Sequence, residues 1–141
     1  MSSNDAAHHD APAGPSRVEV LLGQYIIALS LVMMIFGLRQ WGVIIGLFNG
    51  AGGSFVDMST PWQVVTVHIA IVDVVVAVGL WNQAAWGQVL WVYAAIFEIV
   101  IHALFATTFG NDWPLVAFHF VTLVIFTLLT VLARRENQQT R

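Results

Sequence analysis

The chain has 141 residues, 58% of them hydrophobic and only 9% charged, whereas about 25% of residues are charged in an ordinary soluble domain. It contains no lysine and no cysteine, which excludes disulfides, thiolate metal sites and cysteine nucleophiles. Five arginines against eight acids give a net charge of −3, and no basic patch interleaved with aromatics is present to follow a phosphate backbone, so nucleic acid is not an expected partner.

Residues 1–16 (MSSNDAAHHDAPAGPS) hold no apolar run that could offset the entropy of ordering them, and they read as a disordered tail. The tail carries two acids and no Lys or Arg before Arg17, unlike the positive start of a signal peptide, so the first helix is expected to be retained. His8 and His9 within it form at best a weak metal-binding pair, and a solvated tail is the simpler reading.

A hydrocarbon core about 30 Å thick needs about 20 apolar residues in a helix. Residues 17–141 supply four such segments in a single domain, at 20–38, 62–81, 86–109 and 114–132. The expected fold class is therefore all-α, an integral membrane four-helix bundle with antiparallel up-down topology. Tryptophan, which concentrates at membrane interfaces, supports these limits: Trp41, Trp62 and Trp113 mark one side, and Trp81 and Trp86 the other. Pro61 and Pro114 stand at helix starts, and Asn111 or Asp112 can cap the fourth helix.

The connections after the second and third helices are short, which makes consecutive helices antiparallel neighbours. The long connection, 39–60, opens with the apolar WGVIIGLF and closes with NGAGGSFVDMST. It either extends the first helix or lies along the interface. Gly42, Gly46 and Gly50 recur every four residues, as in a small-residue ridge or as simple loop punctuation. No GK[ST] follows them to make a phosphate loop. Arg17, Arg134, Arg135 and Arg141 lie on the side of the termini and only Arg39 on the other, so both termini are expected to be cytoplasmic in a bacterial inner membrane. Arg39 itself either snorkels to lipid phosphate or pairs with an intramembrane acid.

Ionisable side chains within the bilayer are costly and default to functional hypotheses. Five occur here: His68 and Asp73 on the second helix, Glu98 and His102 on the third, and His119 on the fourth. At about 1.5 Å per residue the three histidines share a level about 5 to 8 Å outward from the midplane, with Asp73 and Glu98 close to the midplane. Glu98 and His102 are four apart and share a helix face. His68 and Asp73 are five apart and point about 140° away from each other at about 100° per residue.

Three readings of this layer stand open. Imidazoles from separate helices suit a haem or a metal, with His68, His102 and His119 as ligands and the carboxylates behind them. The five groups also suit a relay for protons or a pocket for a small ligand or quinone, or they simply bond one another and hold the helices together. No HExxH spacing favours a metal, and no cofactor is required. The aromatics Phe97, Phe105, Phe118, Phe120 and Phe126 read as bundle core or lipid-facing surface.

A first helix, a long outer connection, Pro61 opening a second helix that ends in Gly79-Leu80-Trp81, a short turn to Trp86-Gly87, and two further helices together resemble the DoxX-like proteins. With Glu98-x-x-x-His102 on the third helix, residues 21–133 also resemble a group of small bacterial inner-membrane proteins of unknown function. DoxX-like proteins are associated with membrane redox assemblies, including a quinone-reducing thiosulfate oxidoreductase. The resemblance therefore implies an accessory membrane subunit near redox chemistry, and it carries no catalytic residue onto this chain. The leading expectation is a non-catalytic accessory or scaffold subunit of a larger membrane complex, with the lipid bilayer and other subunits or further copies as partners. The competing class is a binding or transport protein that uses the polar layer, and an enzyme acting alone is the least favoured.

Overall fold

The structure, a computed structural model, describes residues 14–139. Most of the expected tail, with His8 and His9, lies outside the described residues, as does Arg141. Helices α1 (Arg17–Ile44), α2 (Thr60–Trp81), α3 (Ala85–Leu104), α4 (Ala106–Phe109) and α5 (Trp113–Gln139) follow in order, with a 3-10 turn at Phe55–Asp57. Among the described residues there is no strand, only an isolated bridge between Gly50 and Gly53. Four of the helices, α1, α2, α3 and α5, are long and apolar enough to cross a membrane.

Local chemistry sets the helix ends. Ser16 and Glu19 form a reciprocal capping box at the start of α1, with Ser16 N to Glu19 Oε2 at 2.9 Å and Glu19 N to Ser16 Oγ at 3.2 Å. At the other end α1 continues six residues beyond Leu38, because nothing in Arg39–Ile44 breaks a helix. It stops at Gly46, whose φ of +80° opens a left-handed terminus. There Leu47 N bonds Gly42 O at 2.8 Å and Gly46 N bonds Val43 O at 3.1 Å. Gly42, Gly46 and Gly50 therefore form no ridge. Only Gly42 is helical, and a Cβ there would meet the Phe48 ring at 2.6 Å; Gly46 ends the helix and Gly50 makes the bridge.

The same terminus recurs after α2 with Gln83 at φ +51°, where Gln83 N bonds Leu80 O at 2.8 Å and Ala84 N bonds Gly79 O at 3.0 Å. A side chain in this conformation is strained by about 1 kcal/mol. Gln83→Gly is accordingly expected to raise the thermal unfolding midpoint in detergent by a few degrees, and a lowered midpoint would refute the assigned strain.

The third helix falls short of its expected end at Phe109. It stops at Leu104, and the break at Phe105 bends the next turn back over the bundle. The cause is long-range. Trp62 donates its indole N–H to the Thr108 carbonyl at 3.0 Å and packs edge-on to Phe109 at 5.3 Å, which draws the α4 turn over the start of α2. Asp112 then caps α5, accepting from Leu115 N at 3.1 Å.

The long helices touch in the cyclic order α1, α2, α3, α5 and back to α1. Each neighbouring pair runs antiparallel. Gly37 lies against Val74 while Trp41, one turn on, donates to the Ala70 carbonyl at 3.1 Å. Gly79 meets Gly87 while His68 meets Phe97. Trp91 lies against Phe126 and Glu98 against His119. Tyr25 donates to the Thr122 carbonyl at 2.7 Å, and Phe36 packs on Phe118 at 5.4 Å.

The bundle has two unlike halves. Toward the α2–α3 turn it is closed by Leu29, Met33, Val76, Leu80, Trp91 and Ala94, all buried in one apolar cluster. Toward the 45–59 connection it is hollow.

Candidate ligand-binding cup

A cavity of about 390 Å³ occupies the hollow half. Its rim carries Arg39, Gln40 and Asp112, its walls include Phe36, Trp62, Leu115 and Phe118, and its deep end is formed by Asp73 and Glu98. The volume lies within the range of small-molecule sites, about 300 to 1,000 Å³.

Helix α2 turns Asp73 inward because Gly37 of α1 lets the two backbones approach; a Cβ at Gly37 would stand 2.8 Å from Val74 and 3.1 Å from the Asp73 side chain. Asp73 is 1% exposed, and neither carboxylate oxygen has a hydrogen-bond partner among the described residues. Glu98 is 3% exposed, with Oε2 3.5 Å from His119 Nε2 and Oε1 without a partner. At 3.5 Å the Glu98–His119 contact is too long for a good N–H···O bond, about 2.7 to 3.2 Å. His119 is fully enclosed, and its ring nitrogens have no hydrogen bond among the described residues. His102 faces the cavity one helical turn from Glu98, its Nδ1 3.4 Å from the Gly110 carbonyl oxygen.

His68 is not part of this group. Its Nε2 lies 3.1 Å from the Tyr93 hydroxyl and its ring packs on Phe97 at 4.5 Å, outside the residues that line the cavity. The expected layer of three histidines is thus divided: with Asp73 turned into the bundle, a residue five positions earlier on the same helix must turn away. Among the described residues no three His, Asp or Glu side chains are arranged to hold a metal ion, so the set His68, His102 and His119 is not assembled. The side chains that a small ligand could reach are Asp73, Glu98 and His102, with His119 behind Glu98.

The walls and rim are formed by residues whose sequence context points to other roles. Phe118 is a cavity wall as well as a packing partner, and Trp62 is a wall as well as an interface marker. Arg39 stands exposed at the rim and forms no ion pair among the described residues.

Chemically, the cavity sets three carboxylates, two deep and one at the rim, against one guanidinium and the His102 imidazole, between aromatic walls. At its deep end, where Asp73 and Glu98 leave three oxygens without partners, it can accept hydrogen bonds more readily than donate them. No curated protein and no solved structure matches the chain. The model of a family of unknown function, DUF6163, matches residues 20–137, and the chain therefore belongs to that family.

Proposed function

We propose that the protein is a four-span membrane protein that binds a small ligand in a cup open at one end. One observation carries this reading: Asp73, buried and without a hydrogen-bond partner, at the deep end of a cavity whose rim is exposed. A polar group used only to hold helices together would be bonded to a neighbouring helix, because an unsatisfied one costs stability. The apolar cluster below the cup denies a continuous passage through the bundle. The arginine distribution orients the termini toward the cytoplasm of a bacterial inner membrane, so the cup faces outward.

Single cysteines test this directly, since the chain has none of its own. A membrane-impermeant thiol reagent added from the outer side is expected to modify Ile69→Cys, which lines the cup, and to leave Ala77→Cys, in the closed half, untouched. Modification of both sites, or of Ile69→Cys from the cytoplasmic side alone, would sink the reading.

A second reading, the accessory subunit that the DoxX-like resemblance implies, draws on α5. Only 6% of its apolar span is buried, against 50% for α2, so one side of the bundle remains open to lipid or to another subunit. Purification in mild detergent at native expression separates the two: a stoichiometric partner supports the accessory role, and a monodisperse protein alone removes it.

A further inference from the structure

We infer that the ligand of the cup is a small organic cation, an amine with an aromatic or short alkyl body, whose ammonium group sits between Asp73 and Glu98. This deepens the binding reading above and rests on it.

The deep end holds three unpartnered acceptor atoms, Asp73 Oδ1 and Oδ2 and Glu98 Oε1. A protonated primary amine presents three N–H donors and no acceptor, and its hydrogen bonds to carboxylates are of the stronger, charge-assisted kind. An anion would meet two carboxylates at the deep end, and the guanidinium of Arg39 is at the rim. A neutral acceptor such as a quinone carbonyl would find the His102 imidazole as a donor near the two carboxylates, with no arginine or lysine there: lysine is absent from the chain, and among the described residues the remaining arginines lie on the terminal segments. An inorganic cation lacks three clustered ligating side chains among the described residues.

The walls complete the match. Phe36, Trp62 and Phe118 line the cavity beside the apolar Ile69 and Leu115, and aromatic faces attract a cation while apolar surface takes up its body. The Trp62 indole N–H is already committed to the Thr108 carbonyl, so that ring offers its face and not a donor.

Isothermal titration of the full-length protein in detergent, with benzylamine and with benzyl alcohol as its neutral counterpart of the same shape, tests this. At neutral pH benzylamine, then protonated, is expected to bind about tenfold or more tightly than the alcohol, as cation–π contact and charge-assisted bonds require. Asp73→Asn should reduce that preference to near unity, and Glu98→Gln should reduce it in part. Circular dichroism and the unfolding midpoint check that each variant is folded, and Glu98→Gln carries the comparison alone if Asp73→Asn does not fold. Equal binding of the two probes that Leu115→Trp abolishes would overturn the cation while leaving the cup a binding site. No binding of either probe would overturn both, and an amine preference unchanged in both carboxylate variants would overturn the assigned contacts.

Discussion

Gly87→Ala is expected to destabilise the protein by about 2 kcal/mol, although alanine favours a helix over glycine by about 1 kcal/mol. The decisive distance is between backbones. A Cβ on Gly87 would stand 2.3 Å from the Gly79 carbonyl carbon and 2.6 Å from its Cα. Neither atom belongs to a side chain that can rotate away, so the start of α3 must move off the end of α2. Overpacking of this kind costs about 1 to 3 kcal/mol, and it acts here on the turn that joins the two helices. Gly23→Ala is the control, because its added Cβ would meet only the end of the Gln83 side chain, at 3.5 Å. Thermal unfolding in detergent should show a clear loss for the first and none for the second, and equal midpoints would refute the backbone contact.

Asp73→Ala is expected to do two opposite things, raising the unfolding midpoint and removing the tight binding of benzylamine. Its carboxylate has no hydrogen-bond partner among the described residues, and leaving a buried polar group unsatisfied costs about 1 to 3 kcal/mol. The methyl group of alanine removes that cost, and the space it vacates joins a cavity that already exists. Ile69→Ala serves as the comparison, since it deletes apolar contacts in the same wall and should lower the midpoint. A lowered midpoint for Asp73→Ala would return the residue to a structural role. A gain in stability with loss of binding would mark it as retained for function.

The Glu98–His119 contact differs from Asp73 in this respect. Both side chains are buried and 3.5 Å apart, so removing either one leaves the other buried without a partner, and single substitutions there confound stability with function. Asp73 is therefore the cleaner probe of the cup, and Glu98 is better tested by the conservative change to glutamine.

Several features needed nothing but the order of residues. Four apolar runs of about the length that a hydrocarbon core needs, bounded by tryptophan and by Pro61 and Pro114, identify the four long helices, because length and apolarity are local properties of a segment. The cap at Asp112 follows from a side chain within a few residues; the Ser16 cap and the stop at Gly46 are equally local, although Ser16 reads as the last residue of the tail and Gly46 as ridge or loop. The spacing of Asp73, Glu98 and the histidines along their helices follows from a helix of known rise. So does the rule that His68 and Asp73 cannot both face inward.

What counting along a helix leaves open is which way it is turned about its own axis, and that depends on its neighbours. Gly37 of α1 fits against α2 at Val74 and orients Asp73 toward the interior, which sends His68 to Tyr93 and Phe97. The break after Leu104 depends on Trp62, more than forty residues earlier in the chain, reaching the Thr108 carbonyl. The cup exists because the apolar side chains that fill one half of the bundle are not matched in the other, a difference that emerges only when four helix faces meet. The four long helices and the spacing of polar groups along them were thus determined locally by the sequence. The tertiary structure decided that the carboxylates face a common cavity and His68 does not, because facing is set by contacts between residues far apart in the chain.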